Sequence, residues 1–256
     1  MKFRHESSHA KCATCLRHQA MIRSLAGHSA ARATQQGLYH EHLVHQYQDR
    51  LSYWVARGES RQHGLSVTMV TDGMDQSKWA LPRSEWVRSK EFATLQRPRC
   101  HVSALIAHGW FQLYAVSDST LPKDSNATIE LVSHAITVLK EMGAPLRSMH
   151  VGLQSDNTCR ETKNSPTLRY LASLVTAGVV SSASLSCLRS GHSHEDIDQH
   201  FGWLSKFGCR RRELQTPDDV CKCIEDWLRD AKLHEKKRVV VRIDQTRDWQ
   251  PGGCLL

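Results

Sequence analysis

The sequence predicts an α/β fold: a mixed sheet flanked by helices, with a helical extension at the N-terminal side. Three observations predict it. Hydrophobic spacing changes from helical to alternating near residue 65, five short strand-like runs follow, and helix caps and prolines separate the later runs. Hydrophobic residues make up 40% of the 256 and charged residues 23%, enough apolar material for a core and too much for a disordered chain.

Residues 16 to about 62 read as helix, because Tyr39, Leu43, Tyr47, Leu51 and Trp54 recur at three- and four-residue spacing. Leu65 to Val70 alternates as a half-buried strand that runs out at Asp72. His101 to Ala107 and Phe111 to Ser117 read as two strands joined at His108-Gly109. Asn126 is placed to cap a helix with Ile129, Val132, Ile136 and Leu139 on one stripe, ended by Gly143 and Pro145. Ser148 to Gln154 is the next strand, closing on Asp156. Ser165-Pro166 then opens a helix carrying Leu168, Leu171 and Val175. Val179 to Leu188 is the fifth strand, and Ser193-His194-Glu195-Asp196 is a capping box before Ile197, Phe201 and Leu204. A further helix starts at Thr216-Pro217, and Arg238 to Ile243 reads as a last strand.

Three strands, helix, strand, helix, strand, helix is the order of the ribonuclease H-like fold. In that fold, acidic residues at the tips of the first and fourth strands hold two divalent ions about 3.5–4 Å apart. Carboxylates suit the task because Mg²⁺ and Mn²⁺ prefer oxygen ligands. Asp72 and Asp156 stand at those two tips, and a third carboxylate is expected from the helix after strand five. Glu195 points away from the apolar face of that helix, and Asp196 pairs with Ser193 in the cap. Asp198 borders the apolar face one turn before Gly202. Helical geometry therefore ranks Asp198 first and Glu195 second, with the choice open to a one-residue shift of the helix start.

Four stretches carry a resemblance. They are Thr71 to Trp79 with Pro82-Arg83, Lys123 to Asn126, Ser155 to Asn164, and Gly191 to Phe201. Over roughly residues 9 to 250 the chain resembles a domain family of eukaryotic transposon-derived proteins, itself similar to acidic-triad (DDE-type) transposases and integrases. Gly191-His192, Asp198 and Phe201 are its recurrent features, which supports Asp198 over Glu195. The resemblance implies a polynucleotidyl transferase or nuclease that uses Mg²⁺ or Mn²⁺ at Asp72, Asp156 and Asp198. It equally admits a decayed or domesticated copy that keeps the fold as a catalytically inactive binding module. Lys78, Arg83, Arg160 and Lys163 are candidates for nucleic-acid contact, and His192 and His194 for supporting or proton-transfer roles.

A second constellation precedes the helical extension. His9, Cys12 and Cys15 have zinc-ligand spacing, since Cys-x2-Cys lets two thiolates meet one Zn²⁺ ion, and the third ligand is expected to be His9 or another nearby histidine. Nine cysteines without a secretory signal argue for reduced thiols or metal ligands, and for a nuclear or cytoplasmic rather than secreted protein. No apolar run is long enough to cross a bilayer. A net charge of +8 favours polyanions, so DNA is the expected partner, with homo-oligomerisation an open expectation. The organisation expected is a partial zinc-binding segment over 1–18, a helical extension over 19–62, a transposase-like core over 63–208 and a C-terminal helix and strand over 209–256.

Overall fold

The computed structural model describes residues 12–75, 79–83, 96–187, 196–208, 212–230 and 237–249. Two helices come first, α1 (Ala13–Ser24) and α2 (Ser29–Arg61). Three strands follow, β1 (Ser66–Gly73), β2 (Cys100–Ala107) and β3 (Phe111–Asp118). Next are α3 (Ser125–Glu141), β4 (His150–Ser155), α4 (Ser165–Thr176) and β5 (Ser182–Cys187). The chain closes with α5 (Asp196–Trp203), α6 (Pro217–Asp230) and β6 (Lys237–Ile243).

The six strands form one sheet in the order β5-β4-β1-β2-β3-β6. β1 is antiparallel to β2, β2 is antiparallel to β3, and β1 is parallel to β4. β5 runs parallel to β4. This is the ribonuclease H-like order with one strand added: β6 lies parallel to β3, in register from Phe111 against Lys237 to Ser117 against Ile243. β1 and β4, whose ends carry Asp72 and Asp156, are direct neighbours, and β4 begins at His150 because Leu146–Ser148 forms a 3-10 turn rather than the start of the strand.

Period-two alternation sorts the side chains into two cores. Val67, Met69, Leu105, Leu113, Val151 and Leu153 face Ile129, Ile136 and Leu139 of α3 and Leu171 and Leu174 of α4. On the other face Val70, Ala104, Ile106 and Tyr114 meet Ile197 and Phe201 of α5 and Val220, Ile224 and Leu228 of α6. Ile129 and Leu139 are wholly buried, and truncating either to alanine removes about 2–5 kcal/mol.

Local chemistry moves several boundaries. Asp124, rather than Asn126, caps α3: its carboxylate accepts from the N–H of Asn126 at 2.9 Å and of Ala127 at 3.2 Å. Asn164 caps α4 by accepting from the Thr167 N–H at 3.0 Å, which places Ser165 and Pro166 inside the first turn. The buried stripe of α4 is Thr167, Tyr170, Leu171 and Leu174, while Leu168 points to solvent at 54% exposure.

The helical extension departs further from the pattern read in the sequence. It is broken between Ser24 and Ser29, so two helices replace one. The face that α2 buries is also a different one. Tyr53 and Ser60 pack inward, whereas Tyr47 and Leu51 are 55% and 43% exposed. Hydrogen bonds, which hydrophobic spacing does not register, choose this face. The Tyr53 hydroxyl lies 2.7 Å from His108 Nε2. The Ser60 hydroxyl donates to the His108 carbonyl at 2.7 Å and accepts from the Thr68 N–H at 3.0 Å. Gly109 allows this approach. It holds φ +82°, and a Cβ there would stand 2.8 Å from the Arg61 Cα.

Candidate functional site

Parallel register sets the first two carboxylates. Thr71 is paired with Ser155, so Asp72 and Asp156 come next on neighbouring strands, both at the carboxyl ends. Their parity matters as well. Asp72 alternates with Thr68 and Val70, and Asp156 with Gly152 and Gln154. Both therefore share the sheet face that α2 and α5 cover. Asp198 lies in the first turn of α5, one residue after Ile197, which is buried against that face.

Asp72 senses both other carboxylates, although among the described residues the three do not bring their oxygens within 4.8 Å of one another. Burial is the largest cause lifting its carboxyl, and the charges of Asp198 and then Asp156 lift it further. The Gly73 N–H, donating at 2.7 Å, and the Lys123 ammonium oppose the rise. The balance leaves Asp72 at about 6, well above the ordinary 3.8. A buried carboxyl facing two others behaves in this way when no cation fully neutralises the group.

Asp156 is held by its own loop. The Thr158 hydroxyl and N–H both donate to the carboxylate. The Thr162 hydroxyl contacts the Asp156 carbonyl at 3.1 Å. Arg160 and Lys163 occupy this loop and are exposed. Arg83 is committed elsewhere in its backbone, which exchanges two hydrogen bonds with Leu214 ahead of α6. Lys78, His192, His194 and Glu195, like His9, lie outside the described residues.

Three participants carry no role in the sequence reading. Lys123, one residue before the α3 cap, lies against Gly73 so closely that a Cβ there would meet its Nζ at 2.6 Å. It pairs with Glu161 at 3.1 Å, and both residues line the cleft of Asp72 and Asp156. The sequence signals for Lys123 are its place in the Lys123 to Asn126 stretch that carries the resemblance and in a basic–acidic pair at a strand-to-helix turn. Arg57 of α2 grips Asp196 with Nη1 2.8 and 2.6 Å from the two carboxylate oxygens. Asp196, assigned on sequence to the α5 cap, thus ties α5 to α2. Cys12 and Cys15 do cluster with a histidine, but the one present among the described residues is His42 of α2.

With the fold and the cleft in place, comparisons with known proteins narrow the kinship. Residues 90–250 match the family model described as "Domain of unknown function (DUF7869)". The chain belongs to this family. Within the DUF7869 segment lie β2 to β6 and two of the three carboxylates, while Asp72 precedes it. No curated protein matches the chain in sequence. Among solved structures the chain is similar to a pre-cleavage Mos1 transpososome (TM-score 0.44, 8% identity, covering 89% of this chain and 75% of that one). It is also similar to a Mos1 transposase paired-end complex with the left transposon end (TM-score 0.41, 10% identity, 90% and 75% covered). These likenesses are distant, and the strand order itself carries the assignment of the DUF7869 chain to the ribonuclease H-like layout.

Oxygen donors on two adjacent strand tips and one helix turn suit a hard divalent cation. A carboxyl lifted chiefly by burial and further by two like charges is an electrostatic condition that such a cation relieves.

Proposed function

We propose that this chain is a transposase- or integrase-like polynucleotidyl transferase or nuclease acting on DNA, with Asp72, Asp156 and Asp198 as its catalytic carboxylates. The observation that supports the reading most is the pairing of Thr71 with Ser155, which sets Asp72 and Asp156 side by side at the carboxyl ends of neighbouring strands, with the charge of Asp198 also felt at Asp72. Asp72, Asp156 and Asp198 would together hold Mg²⁺ or Mn²⁺ ions. Bound there, the ions supply Lewis acidity toward the phosphoryl oxygens and offset the repulsion among the carboxylates.

The protein's own part is positioning. Thr158 and Thr162 fix Asp156, the Arg57–Asp196 pair fixes the helix that presents Asp198, and Lys123 offers a positive charge to a backbone phosphate. Water attacking phosphorus forms one P–O bond as the P–O3′ bond breaks. The products are a 5′-phosphate and a 3′-hydroxyl, and the proton of the water reaches the leaving oxygen through solvent. Attack by that freed 3′-hydroxyl on a second strand joins the two by the same exchange.

A second reading, the catalytically inactive nucleic-acid- or protein-binding module, draws on Lys123. Its ammonium already offsets part of the carboxylate charge, as a resident cation would. One experiment separates the two: Mn²⁺-dependent nicking of supercoiled DNA by the wild type and Asp156→Asn, with DNA affinity measured across a salt series. Nicking by the wild type and its loss in Asp156→Asn supports the enzyme. Salt-sensitive binding with no nicking by either supports the module, and equal nicking by both rejects the carboxylate assignment.

A further inference from the structure

α1 buries none of its residues. An isolated helix of this length is marginal in water, and the least exposed residues of α1 and its cap, Cys12, Cys15, His18 and Ile22, are only half-buried. What meets along the α1–α2 seam is polar. Gln19 Nε2 donates to the Tyr39 hydroxyl at 3.0 Å, and Gln35, itself buried, contacts His18 Nδ1. The His18 ring stacks 6.1 Å from the His42 ring. At one end of the seam Cys12 Sγ lies 3.6 Å from His42 Nε2.

We propose that Cys12, Cys15 and His42 bind a zinc ion that staples α1 to α2. The three donor atoms all lie within 4.8 Å of one another. In a tetrahedral zinc site, Zn–S near 2.3 Å and Zn–N near 2.0 Å place sulfur and nitrogen about 3.5 Å apart. The Cys12–His42 separation already has that value. Cys12 stands at the N-cap of α1, where an oxygen side chain is usual, and Cys15 follows one turn later, so both sulfurs face the same point. A redox pair would need only the two sulfurs, and Cys12 and Cys15 are not joined in a disulfide. The imidazole reaching in from α2, on a separate helix, makes a third donor and turns the spacing into a cross-link. A water or a further side chain completes the four donors that zinc takes.

The site is independent of the carboxylate cleft, and so is its test. The full chain is produced with zinc, dialysed into metal-free buffer and assayed by elemental analysis. Cys12→Ser, Cys15→Ser, His42→Ala and Asp156→Asn are treated alike. About one equivalent of zinc is expected in the wild type and in Asp156→Asn, with at least about a tenfold loss of affinity in the other three. Cobalt substitution should give a thiolate-to-cobalt charge-transfer band that Cys12→Ser weakens, with ligand-field bands that His42→Ala changes. Chelation of the wild type should speed amide exchange in α1 and leave β1 unchanged, a readout that needs no variant to fold. Absence of zinc from the wild type, unaltered zinc content and cobalt bands in His42→Ala, or unchanged α1 exchange after chelation each overturns the proposal.

Discussion

Arg57 on α2 and Asp196 on α5 are joined by two contacts of 2.8 and 2.6 Å, and Asp198 stands two residues further along the same helix. The relation gives the N-terminal extension a part in the site. Asp196 also lies 3.8 Å from His108 Nε2, which meets Tyr53 of α2. α5 is thus steered by groups that span two elements, and its carboxylate is aimed from outside the sheet.

Arg57→Ala should therefore impair the site without dissolving the fold. The pair is partly shielded, and removing one partner of such a charge-assisted bond costs about 1–3 kcal/mol. Chemical denaturation should show that loss, and Mn²⁺-dependent nicking should fall by at least about tenfold as Asp198 loses its placement. Arg57→Lys should recover part of both. Full nicking in Arg57→Ala would show that Asp196 and Asp198 are not mechanically linked.

Asp72 predicts a pH dependence of defined sign. Its carboxyl titrates at about 6 in the fold against 3.8 ordinarily. Between those values the folded chain holds the proton more tightly than the unfolded one, so metal-free stability falls as pH rises through the window, by on the order of 3 kcal/mol. Added Mg²⁺ should reverse the fall, and Asp72→Asn should remove both the fall and the reversal. Thermal melts at pH 4 to 7.5, with and without Mg²⁺, measure all three.

Lys123 predicts a trade. Its ammonium opposes a divalent cation in the same cleft, so Lys123→Met should tighten Mn²⁺ binding by about 3–10-fold. The same change removes a positive charge facing a phosphate and should weaken DNA binding, with a shallower salt dependence. Calorimetric Mn²⁺ titration and a salt series of DNA binding read the two arms separately. Weaker metal binding in the variant would contradict the placement of this charge.

The segment after β6 predicts an acid-sensitive clamp. Arg247 donates to Glu130 of α3 through Nε at 3.1 Å and Nη2 at 3.0 Å, and Trp249 Nε1 adds a third bond at 3.1 Å. Burial raises the Glu130 carboxyl, but these donors outweigh it and hold it below its ordinary 4.5. Its stabilising contribution is present above that value and is lost as pH falls through the lowered one. Arg247→Ala should cost about 1–3 kcal/mol at neutral pH and less in acid, read from urea midpoints at pH 7 and pH 3.

The strand tips and the α5 stripe are legible in the sequence because each depends on short-range periodicity. The Leu65 to Val70 run announces a strand, though its alternation suggests one half-buried and β1, central in the sheet, is buried on both faces; Ile197, Phe201 and Leu204 announce a helix face. Where the structure departs, the deciding interaction is long-range or polar. Tyr53 and Ser60 turn α2 onto the sheet by bonding to His108, so Tyr47 and Leu51 face water. His42 reaches Cys12 only because the chain breaks between Ser24 and Ser29 and doubles back, which no spacing near Cys12 announces. Lys123 enters the cleft through the close approach of two loops at Gly73, where the absence of a side chain makes the room. Even the caps move, to Asp124 and Asn164, since several polar residues in a row compete for the same N–H groups.

The sixth strand has a kinetic consequence. β6 pairs with β3 across nearly half the chain, in parallel, and it forms one rim of the sheet. Distant parallel pairing is slow to form, because loop entropy is lost before any ladder bond repays it. The β1–β2–β3 meander and its parallel neighbour β4 can be assembled while that rim is still open. The rim is then the last part of the sheet to close and the first to breathe, with the earliest amide exchange. Slow closure would leave the β3 edge, whose backbone groups β6 later satisfies, open to pairing with another chain during refolding. Dilute refolding, at concentrations where intramolecular closure outruns collision, is the condition that this topology favours.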